Sequence, residues 1–282
     1  MRYFYKLIFL SFFICSINLV VSDEVKSEEC TTVGGVITEA SANNSCQSEP
    51  SGYGIIAYKL YLCTAAPTAP TTTTVTDLES CVIVFEEENG SSVTLSTGAS
   101  VNLGGTQSLP PAGVYTHGVM HMNNTFAITA KKEFAVTYNG QVSGNGVVCV
   151  TADGAGTSGS TGDSNDRTIC GDSTLTAGTY TESLTSFDRP FNATGTANNV
   201  AGSGANITAY LIDTNEFLAV NDADVNNLLG VVEFASAANI TASTTNVEIS
   251  FNVGEGMSID GDGITGDMFM GSGPFQATIS TN

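Results

Sequence analysis

Apolar and polar residues alternate with a period of two along much of this chain, the spacing of β-strands with a buried face. The clearest run starts at Tyr53 and reads Y-G-I-I-A-Y-K-L-Y-L-C. Ile56, Tyr58, Leu60 and Leu62 share one face, and Ile55, Ala57, Lys59 and Tyr61 share the other. Both faces are mostly apolar, which predicts a central strand. A second run, C-V-I-V-F-E-E-E, begins at Cys81. The connection from Pro67 to Thr74 is rich in Pro and Thr and cannot enter a sheet interior, because Pro lacks the N–H donor. It reads as an extended loop or an exposed edge. The expectation is two neighbouring strands stapled by Cys63 and Cys81. Asn89-Gly90 then reads as a hairpin turn leading into Val93-Thr94-Leu95.

Further strands are predicted at Val114–Met122, Thr125–Thr129, Glu133–Tyr138 and Val147–Thr151, with turns at Asn123-Asn124 and Asn139-Gly140. The second half supplies Thr179–Thr185, Ile207–Ile212, Phe217–Val220, Val231–Ala235, Asn246–Val253 and Phe275–Ser280. Asp222 to Leu229 has room for one or two helical turns. The phrase A-G-x-Y-T occurs twice, at Ala112–Thr116 and at Ala177–Thr181. A Gly turn followed by Tyr marks a corner in β-sandwiches, the phenol bonding back to nearby backbone. The predicted fold is all-β, an antiparallel β-sandwich, divided into two Ig-like or jelly-roll-like domains. The divisions are a signal peptide at 1–22, an N-terminal extension at 23–52, a first β domain at 53–151, a Gly/Ser/Asp-rich linker or loop at 152–174 and a second β domain at 175–282.

The start of the chain changes the compartment. Arg2 and Lys6 precede an apolar stretch from Leu7 to Val21, and Val20 and Ser22 fit the small-residue positions before a cleavage point. Ile14 before Cys15 argues against lipid attachment. Six cysteines then remain, an even number in an exported chain, which implies disulfides. The sequential set Cys30–Cys46, Cys63–Cys81 and Cys149–Cys170 brackets one loop-like segment per pair. With no C-x-x-C and no nearby His, zinc is not expected. The expected location is extracellular or at the cell surface.

Charge narrows the partners. Lys and Arg number 8 against 28 acids, and the net charge is −20. After Arg189 there is no basic residue. Nucleic acid and anionic membrane surfaces suit such a coat poorly, and no membrane insertion is expected once the leader is removed.

Candidate chemistry is sparse. His117 and His121 are the only histidines. On a strand their four-residue spacing is roughly 13 Å, too far for one ion. No P-loop, dinucleotide fingerprint or G-x-S-x-G occurs, and no local motif selects a carboxylate pair. Two acidic loops are candidate calcium sites. Asp222, Asp224, Asn226 and Glu233 match the first, third, fifth and twelfth positions of a calcium loop, with Asn227 where Gly is usual. Asp260, Asp262 and Asp267 form a Gly/Asp turn. In so acidic a chain such matches also arise by chance, and no cofactor other than calcium is expected.

The functional expectation is a secreted, non-enzymatic structural protein that self-assembles into a filament, pilus-like fibre or surface layer. Val33–Ile37 or Phe275–Ser280 would be the donated strand. The alternative is an adhesin or glycan-binding β module that takes a surface ligand with calcium.

Overall fold

The computed structural model describes residues 28–97, 99–100 and 103–281; the expected signal peptide lies outside the described residues. Among them the strands form three sheets of 11, 8 and 3 strands, with little helix. The protein is all-β and sandwich-like, and one apolar core draws on all three sheets.

Gly52–Cys63 is the hub of the largest sheet, as its two apolar faces predict. It pairs with Cys81–Leu95 on one side, and with Gly113–Asn123 and Thr125–Thr129 on the other. From Gly113–Asn123 the sheet continues through Asn227–Ile240, Asn206–Ile212 and Thr194–Asn198. From Thr125–Thr129 it continues through Tyr180–Leu184, Gly154–Gly159 and Gly162–Ser164. The second sheet runs Thr32–Val33, Val36–Ile37, Lys131–Gly140, Asp267–Ser272, Met257–Gly261, Cys46–Ser48; Asn145–Thr151 also pairs with Lys131–Gly140, and Thr168–Gly171 pairs with Asn145–Thr151. The third, C-terminal sheet is Gln276–Thr281, Val247–Asn252 and Ala99–Ser100. Most pairs are antiparallel, but Lys131–Gly140 with Val36–Ile37 and Asp267–Ser272, and Gly154–Gly159 with Tyr180–Leu184, are parallel.

Several expectations change. Pairing does not divide at 152–174. That segment itself supplies strands Gly154–Gly159, Gly162–Ser164 and Thr168–Gly171, and Gly230 of the second half lies opposite Met120 of the first. Small polar residues form Gly154–Gly159 and Gly162–Ser164 because backbone pairing holds them, whereas Thr168–Gly171 buries Thr168 and the disulfide-bonded Cys170. Asn89-Gly90 is not a hairpin turn. The strand runs on from Cys81 to Leu95, and Tyr58 faces the four residues Glu87–Gly90 in a large bulge. Gly90 takes φ +77°, and a Cβ there would sit 2.5 Å from Ile56 Cγ2, so the glycine answers a left-handed backbone and a close approach. Phe217–Val220 makes only an isolated bridge, Leu218 to Ile212. Asp222–Asp224 is one 3-10 turn, capped by the Asn221 side chain, which accepts from Ala223 N and Asp224 N.

All three disulfides join the expected partners, Cys30–Cys46, Cys63–Cys81 and Cys149–Cys170. Cys63 lies directly opposite Cys81, and Cys149 opposite Cys170. The Pro/Thr connection folds back on the sheet: Thr71 O accepts from Leu218 N, and Leu78 packs on a small cluster with Cys63, Val119, Ile212 and Leu229. Tyr115 makes the expected corner, its hydroxyl donating to Pro111 O at 2.9 Å. Both candidate donor strands are paired within the chain. Val33 and Val36 close a hairpin over Gly34-Gly35, Ile37 lies opposite Phe134, and Gln276–Thr281 pairs with Val247–Asn252.

Candidate functional site

The large sheet and the C-terminal sheet do not close fully on one another. Between them is a cavity of about 350 Å³. Its floor follows from the ladder register. One row across five strands reads Leu60, Met120, Gly230, Ala209, Gly195, and the next reads Leu62, Gly118, Val232, Ile207, Ala197. Strand side chains stand perpendicular to the sheet, so small residues in one row lower the floor. Two of the glycines are covered by aromatic rings: a Cβ at Gly118 would meet Phe234 Cζ at 2.9 Å, and one at Gly195 would meet Phe187 Cδ1 at 2.6 Å. Gly230 is left open, with nothing nearer to such a Cβ than Met122 Cε at 3.8 Å. The roof is Ile249, Phe275, Ala277 and Ile279. Met120 and Met122 add flexible thioether walls that adapt to shape. A second cavity, about 480 Å³ and more polar, shares Leu60 and Ile249 with the first.

One end of the first cavity is polar. Gln47, Ser258 and Ser272 line it, with Ser258 opposite Gln47 and Ser272 opposite Met257 in adjacent ladders. Gln47 Oε1 is shielded from solvent and has no hydrogen-bond partner. None of the lining residues is charged.

Behind this end lies a buried acidic group. Glu182 is 5% exposed and accepts a hydrogen bond from Ser272 N. Burial pushes its carboxyl up to about 7, Asp163 and Asp166 add to the rise, and the Ser272 bond opposes it. Asp166, 9% exposed, accepts from Thr168 N and Thr168 Oγ1 and is raised by burial to about 6. Tyr53 and Tyr180 flank Glu182, and burial first, then its charge, raises both phenols. Tyr53 also donates to Gly273 O at 3.1 Å.

The residues singled out from sequence fall elsewhere. His117 and His121 are on one strand, as expected, on the face away from the cavity. His117 Nδ1 lies 2.8 Å from Thr116 Oγ1. His121 Nδ1 lies 3.9 Å from Glu216 Oε1, and burial lowers its proton affinity. The candidate calcium set 222–233 is pulled apart: Asp222 Oδ1 accepts from Ser160 N and Thr185 Oγ1, Asp224 accepts from Asn221 Nδ2, and Asn226 precedes a strand in which Glu233 accepts from Asn206 Nδ2. A calcium loop needs its twelfth ligand to turn back on the first, and an extended strand carries it away. Asp260 accepts from Ser45 Oγ, Asp262 from Ile264 N and Thr265 N, and Asp267 from Thr265 Oγ1. Asp262 thus closes the hairpin loop, while Asp260 and Asp267 are also tied to Ser45 and Asn139 outside it. No group of three or more His, Cys, Asp or Glu side chains suited to a metal occurs among the described residues.

Gln47, Gly230 and Glu182 were not singled out from sequence. Glycine inside a strand was the available signal, since it marks a bulge or a close approach. No protein-family model, curated protein or solved structure matches this chain.

Proposed function

We propose that this chain is an exported, non-enzymatic β protein that binds a small apolar molecule between its large and C-terminal sheets. The observation that carries the reading is the uncharged cavity of about 350 Å³, apolar over most of its wall. Its size lies within the ~300–1,000 Å³ of small-molecule sites, and an apolar wall with few polar groups is their common composition. Three disulfides fit an oxidising, extracellular setting, and no helix among the described residues is long and apolar enough to cross a membrane. The uncharged, Trp-free lining favours an apolar occupant over a glycan. The test uses diphenylhexatriene, a hydrocarbon that fluoresces only in apolar surroundings, titrated into the oxidised protein. Saturable fluorescence that Gly230→Phe abolishes, with the far-ultraviolet spectrum retained, is the expected result. Signal that survives in a folded Gly230→Phe protein would place the probe elsewhere and end the cavity reading.

A second reading, a self-assembling filament or layer subunit, is favoured by one feature. Gln276–Thr281 is the outer strand of the C-terminal sheet, pairing on one side only among the described residues. A second copy could add there by backbone pairing. Negative-stain microscopy of oxidised protein at micromolar concentration tests it: ordered polymers that a Thr278→Pro variant fails to form support it, and discrete monomers sink it.

A further inference from the structure

Resting on the cavity reading, we propose that the buried carboxyl of Glu182 is a pH latch on the cavity's roof: neutral, it holds the root of the C-terminal sheet in place, and ionised, it loosens that root and weakens binding. The geometry begins with the chain. Gln276–Thr281, a roof strand, follows Asp267–Ser272 of the second sheet through Gly273-Pro274-Phe275 alone. Ser272, Gly273, Pro274 and Phe275 all line the cavity. Three backbone bonds hold this link. Ser272 N donates to Glu182, Gly273 N donates to Gly256 O at 2.9 Å, and Gly273 O accepts from the Tyr53 hydroxyl at 3.1 Å. Pro274 has no N–H to add a fourth. The Phe275 ring lies 5.3 Å from the Tyr53 ring, which lies 5.7 Å from that of Phe126. Phe126 is opposite Glu182 in the ladder and is itself part of the cavity wall. Glu182 does not line the cavity, but it fixes the backbone that does.

The surroundings of Glu182 favour its neutral form. Tyr180 on its own strand, Tyr53 on the hub strand, Asp163 on Gly162–Ser164 and Asp166 before Thr168–Gly171 all act on it electrostatically. Asp163 is paired with Arg189, 3.3 Å away, whereas Glu182 and Asp166 have no salt-bridge partner among the described residues. The backbone of Glu255 packs at Gly273. A buried carboxylate without a cation recovers its hydration only where the chain over it moves. The chain over Glu182 is the link at Ser272, so ionisation acts on the roof. Burial first, then Asp163 and Asp166, raise the carboxyl from 4.5 to about 7. The closed roof is therefore favoured below that range and loses its advantage as pH rises through it.

Diphenylhexatriene has no ionisable group, so its affinity reads the protein's titration alone. Titrations at pH 5.5 and pH 8.5 are expected to show binding weaker at the higher pH by at least about threefold, under a linkage ceiling of about 30-fold. In Glu182→Gln, which keeps an acceptor for Ser272 N, the two affinities are equal. Asp166→Asn, which removes the neighbouring carboxyl without touching the link, retains the fall. Far-ultraviolet spectra confirm that each protein is folded at both values. In the wild type, amide exchange corrected for its intrinsic pH dependence should lose more protection at Ser272–Gln276 than in the hub strand Gly52–Cys63 between the two values, a readout that needs no variant to fold. A pH-independent affinity in the wild type, the same fall in Glu182→Gln, or equal losses of protection in the two segments overturns the latch and leaves the cavity reading standing. Failure of the wild type to bind diphenylhexatriene at either pH removes the cavity reading and this inference with it.

Discussion

Glu182, on a strand of the large sheet, accepts a hydrogen bond from the backbone N–H of Ser272, on a strand of the second sheet. A carboxyl group thus ties two sheets together from a buried position. Burial makes its ionised form unfavourable and raises it from 4.5 to about 7. The folded chain therefore holds this proton where the unfolded chain has released it. Stability is complete below about 4.5 and falls as pH rises towards about 7. Asp166, raised to about 6, acts in the same direction over a lower window. Glu182→Gln keeps an acceptor for Ser272 N and removes the ionisation. It is expected to stabilise the fold by up to about 3 kcal/mol at pH 8 and to leave it unchanged at pH 4. Urea melts at both values measure this. A variant less stable than the wild type at pH 8 shows that the ionised carboxylate contributes favourably instead.

Gly90 and Gly230, on separate strands of the large sheet, answer different constraints, and their alanine variants should separate. At Gly90 the φ of +77° and the approach of Ile56 Cγ2 both oppose a side chain. Gly90→Ala is expected to cost about 1–3 kcal/mol. At Gly230 a Cβ meets ordinary contacts at 3.8 Å and 4.0 Å. Gly230→Ala in an extended strand should change stability by less than about 1 kcal/mol. Thermal melts of the pair decide it, and equal losses refute the assignment of Gly90 to a strained bulge.

Calcium is expected to act on this protein only as a counter-ion. Asp222, Asp224, Glu233, Asp260, Asp262 and Asp267 each accept hydrogen bonds from other groups of the protein, and no three of them gather into a metal-holding cluster among the described residues. Screening of a −20 charge depends on ionic strength and valence rather than on the identity of the ion. Calcium and magnesium at equal concentration should therefore raise the melting temperature equally. A larger rise with calcium, saturating with concentration, identifies a specific site.

Much of the architecture was legible because it depends on local pattern. The two-faced apolar run from Tyr53 marked the hub strand, and Thr125–Thr129 was placed with the observed ends. The disulfides followed because each pair brackets a short excursion from neighbouring segments. What was not legible depends on register between distant segments. Gly162–Ser164 has no apolar periodicity and is a strand because its backbone pairs with Gly154–Gly159. Asn89-Gly90 carries strong turn chemistry, but Ser91–Leu95 pairs with Tyr53–Ala57 and holds the strand on course. The cavity required Gly230, Ala209 and Gly195 to fall in one row, which no single stretch reveals.

The Cys63–Cys81 bridge should matter most to the segment it closes. The ladder between Gly52–Cys63 and Cys81–Leu95 is interrupted at Glu87–Gly90, so the pairing near Cys81 is separated from that at Ser91–Leu95. The disulfide closes a loop with a sequence separation of 18, and Cys63 is fully buried. Replacing both cysteines by Ser is expected to cost about 3 kcal/mol through loop closure. The loss should also be local. Hydrogen exchange should accelerate in Thr64–Ser80 and in Cys81–Phe85, where the bridge and a short ladder act together, and much less in Ser91–Leu95, which the far side of the bulge holds independently. Uniform acceleration along Cys81–Leu95 would mean that the bulge transmits the ladder's stability rather than dividing it.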